Sequence, residues 1–196
     1  MKVIGITGGV GAGKSSVLAL LKEMCSGDII QADLVARNIY QSGNIGFEKV
    51  VDIFGEQIVG EDGEINRPLL ADIIFKNPNK RIVINSIINP LVMQEIFNRI
   101  NTHKIAGDVD YCFVEAALLI EDHYDIFMDE IWYIYVSEDV RRIRLSASRG
   151  YSDEKISNIF KSQLSEAEFR KYADKVIDNG SDIEKTRAQL EIMLGI

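Results

Sequence analysis

The sequence predicts an α/β fold in which about five parallel strands form a central sheet covered by helices. Short apolar runs, too brief for helices, recur along the chain, and the first of them, Lys2–Thr7, ends in a glycine cluster. Stretches with helical spacing of apolar residues lie between these runs. Strands that alternate with helices indicate a parallel sheet with both faces buried.

The predicted elements follow this alternation from one end of the chain to the other. The predicted strands are Lys2–Thr7, Ile29–Ile30, Tyr111–Val114, Glu130–Val136 and Lys175–Ile177. The predicted helices are Ser15–Met24, Leu34–Gln41, Phe47–Phe54, Arg67–Phe75, Lys80–Ile100 and Asp182–Leu194, with a polar helical stretch over Glu138–Arg170. We expect one domain over residues 1–196.

Two long insertions interrupt the predicted sheet. About 80 residues separate the second strand from the third, which is too many for a simple crossover, and a second excursion follows the fourth strand. We predict a helical substrate subdomain over about 34–104 and a helical lid over about 138–165. Insertions of this kind commonly hold a substrate and close over it.

Charge and composition exclude several classes of partner. With 22 Lys and Arg against 30 Asp and Glu, the net charge is −8, which would repel nucleic acid. No apolar run approaches the ~18 residues of a membrane span. The first residues lack signal-peptide features, and Cys25 and Cys112 have no disulfide or metal-site spacing. We therefore expect a cytoplasmic protein with free buried thiols, as a monomer or weak homo-oligomer.

The glycine cluster after the first strand matches the phosphate-loop pattern G-x-x-x-x-G-K-[ST]. Its backbone amides and the following helix would cradle the phosphates of ATP. Lys14 would contact the β- and γ-phosphates, and the Ser15 hydroxyl would bind Mg²⁺. The expected nucleotide-binding residues are Gly8, Gly9, Val10, Gly11, Ala12, Gly13, Lys14, Ser15 and Ser16. With this loop, the predicted α/β fold can be specified further as a three-layer fold like that of P-loop NTP hydrolases.

The lack of two further motifs excludes two classes of phosphate-loop protein. The chain has no N/T-K-x-D tetrapeptide of the kind GTPases use to read guanine, and no apolar strand ending in Asp-Glu as in motor ATPases. A small-molecule kinase remains, because such an enzyme needs a substrate subdomain and a lid, which the two insertions would provide. A nucleoside or nucleotide kinase and an ATP-binding regulatory module without productive transfer stay open as alternatives.

Two carboxylates follow predicted strands, where ligands of such sheets bind. Asp33 comes directly after the second strand and could accept the proton of an acceptor hydroxyl. It could equally cap the N-terminus of the next helix. Glu115 follows the third strand and could assist Mg²⁺ or contact substrate, or simply face water.

Arginines in the predicted lid could balance charge on the transferred phosphate. Arg141 and Arg144 share one face of the predicted helix, and Arg142 and Arg149 lie nearby. The alternative is that these arginines lie on a solvent-exposed helix face, where neighbouring acidic residues balance their charge.

Taken together, the motifs resemble dephospho-CoA kinases over essentially the whole chain. The segments that carry the resemblance are the glycine loop, Gln31-Ala32-Asp33, Gly63–Ala71, Leu118–Glu121, Ser162-Gln163 and Ala173–Asn179. The resemblance implies phosphorylation of the ribose 3′-hydroxyl of dephospho-CoA by ATP, with Asp33 as general base and Lys14 and Arg144 balancing charge. It marks Thr7, Arg67, Glu115 and Arg149 as substrate or lid positions.

Several residues depart from the family pattern. Gln31 stands where the first Asp of D-A-D is usual, and Asn89-Pro90 replaces His-Pro. In the lid motif R-L-x-x-R that begins at Arg144, Ser148 occupies the second arginine position and Arg149 follows it. Either Arg149 substitutes from the adjacent position, which requires the helix to end near Gly150, or the lid has lost one charge.

Overall fold

The predicted parallel sheet is confirmed by a computed structural model that describes all 196 residues. Five strands lie in the order β2-β3-β1-β4-β5, and β1 is parallel to both of its neighbours, as is β4 to β5. The strands are β1 (Lys2–Thr7), β2 (Gly27–Gln31), β3 (Tyr111–Glu115), β4 (Glu130–Tyr135) and β5 (Lys175–Asp178). The carboxyl end of the central strand β1 therefore lies between those of β3 and β4.

α-Helices follow every strand except β3 and fill both insertions. They are α1 (Lys14–Met24), α2 (Ala32–Ile39), α3 (Ile45–Phe54), α4 (Arg67–Lys76), α5 (Pro78–Ala106), α6 (Glu138–Arg149), α7 (Asp153–Lys161), α8 (Glu166–Tyr172) and α9 (Ile183–Leu194). Short 3₁₀ turns occupy Glu56–Ile58 and Tyr124–Phe127. The polar excursion after the fourth strand thus consists of three helices.

The start of α2 differs from the sequence-based expectation. The helix begins at Ala32, two residues earlier than predicted, and its N-cap is Gln31. Asp33 is therefore inside the first turn and does not cap the helix. An acidic residue in this position still interacts favourably with the positive end of the helix dipole.

The chain divides into two compact units, one of residues 1–30 with 102–196 and the other of residues 31–101. In the first unit, apolar side chains of β1, β3 and β4 pack with α1 and α9. Trp132 and Phe113 are fully buried there, with their rings 6.0 Å apart. Burial of such large side chains dominates the stability of a sheet of this kind.

The second unit consists of helices, and α5 supplies its most regular apolar stripe. Buried residues recur at every fourth position of this helix: Ile84, Ile88, Val92, Ile96 and Ile100. This spacing places them on one helix face, which covers the core of the unit.

Both cysteines are free, as expected, but Cys25 is only half-buried while Cys112 is buried. Burial raises the pKa of the Cys112 thiol to about 12, so it stays protonated and inert. No helix is long and apolar enough to cross a membrane.

Candidate active site

Residues 8–13 form a loop between β1 and α1, and the loop ends on a left-handed residue. Gly13 is the N-cap of α1 with φ of 80°, a conformation that only glycine adopts without strain. The Gly13 carbonyl accepts from the backbone N–H groups of Ser16 and Val17. The start of a helix after such a loop is a common site of anion binding.

Lys14 folds back across the loop. Its Nζ donates to the Gly8 carbonyl at 2.9 Å and lies 3.7 Å from Glu115 Oε1. Each of the two charged side chains is only 13% exposed. Glu115 therefore does not face water but lies beside the phosphate loop, because β3 pairs with β1 so that Glu115 is opposite Ile6.

Arg144 reaches the other end of the loop from α6. Its Nη2 donates to the Asn179 carbonyl at 2.9 Å. The Asn179 side chain in turn donates to the Ala12 carbonyl at 2.8 Å, and its Oδ1 accepts from the Thr186 hydroxyl at 3.0 Å. Asn179 and Thr186 are both buried. The end of β5 thus connects the lid arginine with the loop.

Arg141 contacts the loop more directly than Arg144 does. Its Nε donates to the Val10 carbonyl at 2.8 Å, and its Nη2 donates to Gln163 Oε1 at 2.9 Å. The same Gln163 oxygen accepts from the Val10 amide at 3.1 Å. Burial lowers the pKa of Arg141 from its ordinary value, but the guanidinium stays charged at neutral pH.

The charged side chains around the loop favour the binding of an anion. Lys14, Arg141 and Arg144 surround it, and Glu115 is the one carboxylate found among them. This local excess of positive charge occurs in a chain whose net charge is −8. Phosphate groups are the ligands that such a combination of amides and cations binds best.

Thr7 and Ser15 supply hydroxyls on either side of the glycine loop. Thr7 is fully buried at the end of β1, and its Oγ1 has no hydrogen-bond partner. Ser15 is exposed on the first turn of α1, next to Lys14. Its position suits an oxygen ligand to a metal bound with phosphates.

Other predicted residues lie outside this cluster. Arg149 is the last residue of α6 and is exposed, with its guanidinium 5.8 Å from the Tyr151 ring. Asp33 and Arg67 belong to the second unit. Arg67 donates to the Arg37 carbonyl at 3.0 Å and lies over the Tyr40 ring, while Asp33 is exposed.

Sequence reasoning did not assign roles to three residues that hold the loop: Gln163, Asn179 and Thr186. Gln163 and Asn179 lie in segments that carry the family resemblance, so that signal was available. Thr186 lies in the last helix, where only its complete burial shows its importance.

The parallel sheet, the loop and the three cations define a P-loop kinase. A family model described as dephospho-CoA kinase matches residues 2–185. The chain therefore belongs to the dephospho-CoA kinase family, and it is an ATP-dependent phosphotransferase.

Individual relatives agree with this assignment. The dephospho-CoA kinase of Carboxydothermus hydrogenoformans is 40% identical over 195 residues, which cover 99% of this chain and 93% of the relative. That of Oceanobacillus iheyensis is 34% identical over 192 residues, covering 98% and 96%.

Solved structures share the fold. A crystal structure from Thermus thermophilus matches with a TM-score of 0.80 at 25% identity, covering 99% of this chain and 96% of the other. The dephospho-CoA kinase from Campylobacter jejuni matches with a TM-score of 0.73 at 22% identity, covering 98% of each chain. A shikimate kinase from Bacteroides thetaiotaomicron matches less closely, with a TM-score of 0.54 at 15% identity, covering 100% and 99%.

Proposed function

We propose that this chain transfers the γ-phosphoryl group of ATP to the ribose 3′-hydroxyl of dephospho-CoA, giving CoA and ADP. A bond forms between the 3′-oxygen and the γ-phosphorus, and the bond from that phosphorus to the β–γ bridging oxygen breaks. The hydroxyl proton passes to the Asp33 carboxylate, and ADP leaves. The observation that carries this proposal is the convergence of Lys14, Arg141 and Arg144 on the glycine loop of a dephospho-CoA kinase family member.

Lys14 is the residue best placed to interact with the negative charge of the phosphoryl group while that group is transferred. Its ammonium group contacts the Gly8 carbonyl and Glu115. A bound phosphate offers stronger, charge-assisted hydrogen bonds to the same ammonium group. Lys14 and Arg144 therefore balance the negative charge on the phosphate oxygens during transfer.

The residues beside Lys14 fit a Mg²⁺ ion. The Ser15 hydroxyl and the Glu115 carboxylate are hard oxygen donors, which Mg²⁺ prefers. No group of three or more His, Cys, Asp or Glu side chains forms a dedicated metal cage, which suits an ion held mainly by water and substrate phosphates. When bound, Mg²⁺ would neutralise charge on the β- and γ-phosphates.

Asp33 is proposed as the proton acceptor because of its place in the chain and its exposure. It lies on the first turn of α2, directly after β2, and its carboxylate forms no ion pair. The family resemblance assigns the same position to the general base. Arg67 stays a candidate for substrate contact, Arg149 for a lid position, and Thr7 for support of the loop.

The Asp33→Asn variant tests this proposal against the regulatory alternative. We expect turnover with dephospho-CoA to fall by roughly 100-fold or more, because the proton acceptor is lost, while calorimetry shows unchanged ATP binding. Asp52→Asn is the matched control, since Asp52 is an exposed acid on α3 of the same unit. Near wild-type turnover in Asp33→Asn would contradict the assignment of Asp33.

The acceptor separates the proposal from a nucleoside or nucleotide kinase. ADP release is measured with dephospho-CoA, adenosine, cytidine and AMP in turn, each with ATP and Mg²⁺. The proposal predicts release above background with dephospho-CoA alone. The cytoplasmic location and the monomeric or weakly oligomeric state stay predictions from the sequence.

A further inference from the structure

Gln163 and Arg141 meet at Val10, in the middle of the phosphate loop. Gln163 Oε1 accepts from the Val10 amide at 3.1 Å and from Arg141 Nη2 at 2.9 Å. Arg141 Nε donates to the Val10 carbonyl at 2.8 Å. Both backbone polar groups of Val10 are therefore bound by side chains from the lid region, 153 and 131 residues away in sequence.

The guanidinium group of Arg141 also packs against the loop and a lid aromatic. Its Cζ lies 4.2 Å from the centroid of the Phe160 ring, a favourable cation–π distance. On the loop side, a Cβ atom at position 9 would overlap this guanidinium. Glycine at position 9 thus allows the close approach of Arg141, and a larger residue would displace the guanidinium group, although the φ of Gly9 is not positive.

The other end of α6 cannot supply this contact. Ser148 occupies the position where the lid motif has its second arginine, and its hydroxyl donates to the Arg144 carbonyl at 2.6 Å. Arg149 is exposed beyond it, and Gly150 ends the helix with φ of 62°. Arg141 lies one turn before Arg144 on the same helix face and reaches the loop instead.

We propose that Arg141 and Gln163 form a latch that positions the phosphate loop, and that Arg141 supplies the lid charge that Ser148 lacks. Gln163 is a positioning residue, because it acts through Val10 and Arg141 and carries no charge of its own. The latch fixes the loop from the lid side and so holds the loop backbone in one conformation for phosphate binding. The role in phosphoryl transfer depends on the proposed function, whereas the role in ATP binding does not.

Three variants of the chain test the latch through the ATP dissociation constant, measured by calorimetry, and through kcat with dephospho-CoA. Gln163→Leu removes the shared acceptor at nearly constant volume. Gln163→Glu keeps an oxygen acceptor for both hydrogen bonds. Gln94→Leu is the matched control, since Gln94 is exposed on α5 and its side chain donates to Asn98 of the same helix.

Gln163→Leu is expected to weaken ATP binding and lower kcat by about tenfold or more, because the Val10 amide and the Arg141 guanidinium both lose their acceptor. Gln163→Glu should recover most of both losses, and Gln94→Leu should bind ATP within about twofold of the parent. The same losses in Gln163→Glu as in Gln163→Leu, or ATP binding unchanged in Gln163→Leu, would overturn the latch. A parent chain that binds ATP but forms no CoA would refute the proposed function. In that case the ATP dissociation constants of the parent and the Gln163 variants would still show whether the latch exists.

The Gly9→Ala variant tests the packing of Arg141 without changing either latch residue. We expect the added methyl group to displace the flexible guanidinium group and to weaken ATP binding as much as the Arg141→Met change. In the double variant Gly9→Ala with Arg141→Met, we expect little further loss, because the two changes remove the same contact. Losses that multiply in the double variant would show that Arg141 does not act through this contact and would contradict the latch.

Discussion

The Asn179 side chain donates a 2.8 Å hydrogen bond to the Ala12 carbonyl, joining residues that are 167 positions apart. Asn179 thereby ties the end of β5 to the phosphate loop at the centre of the sheet. Its own Oδ1 is satisfied by the buried Thr186 hydroxyl at 3.0 Å. The last helix of the chain therefore contributes to the shape of the first loop.

We predict that Thr186→Val destabilises the protein and weakens ATP binding together. The change leaves the buried Asn179 Oδ1 without its donor, which costs about 1–3 kcal/mol in the free energy of unfolding. Urea denaturation measures that cost, and Ser181→Ala, at an exposed position nearby, serves as the control. A cost below about 0.5 kcal/mol would show that the hydrogen bond contributes little.

Arg144 and Arg149 should differ sharply in importance although they lie on the same helix. Arg144→Met removes a cation beside the loop, and we expect kcat to fall by roughly 100-fold. Arg149→Met removes only an exposed guanidinium over Tyr151, so kcat should stay within about twofold of the parent. Steady-state kinetics with both variants decide this, and equal losses would mean that Arg149 also reaches the substrate.

Ser15→Ala should change the metal requirement without changing the fold. Loss of the hydroxyl removes the proposed protein ligand, so the Mg²⁺ concentration for half-maximal activity should rise by about tenfold or more. Ser26→Ala, also exposed, should leave the requirement unchanged. An unaltered Mg²⁺ requirement in Ser15→Ala would assign the metal to other residues. Removal of Mg²⁺ with a chelator should abolish turnover of the parent chain.

His103 gives the protein a predictable dependence of stability on pH. Its Nδ1 lies 2.9 Å from Asp108 and its Nε2 lies 3.2 Å from Asp28. The hydrogen bond to Asp108, with a smaller contribution from Asp28, raises the pKa of His103 above its ordinary value of 6.5. Protonation is therefore favoured in the folded chain.

The stabilisation from His103 is complete below the unfolded pKa of 6.5 and is lost as the pH rises through the higher folded pKa. The urea midpoint of the parent should thus exceed that of His103→Gln most at about pH 6 and less above neutrality. His123→Asn is the control, since Asn tolerates the φ of 59° at that position. A difference between parent and His103→Gln that grows with pH would contradict this sign.

Much of the fold could be predicted because local signals specify it. The apolar run of β1 followed by glycines, and the i, i+4 pattern of α5, depend only on nearby residues. The N-terminus of α2 could not be placed, because Asp33 suits either a cap or a first turn. The structure settles this with Gln31 as the N-cap.

In the candidate active site, too, some residues could be predicted from local sequence and others could not. The loop and Lys14 follow from one contiguous motif, whereas Gln163 and Asn179 reach it from distant segments. Only the order of the strands, with β4 between β1 and β5, places the end of β5 at the same edge of the sheet as the loop. The sequence left open whether Arg149 replaces the arginine absent at Ser148, because the register of a helix end depends on tertiary packing.

The most direct test of the account is the identity of the product. The chain is incubated with ATP, Mg²⁺ and dephospho-CoA, and the nucleotide products are separated and examined by mass spectrometry and phosphorus NMR. The account predicts equal amounts of ADP and of a product that has gained one phosphoryl group at the ribose 3′-oxygen. ADP and free phosphate without a phosphorylated acceptor, or phosphorylation at another position, would contradict it.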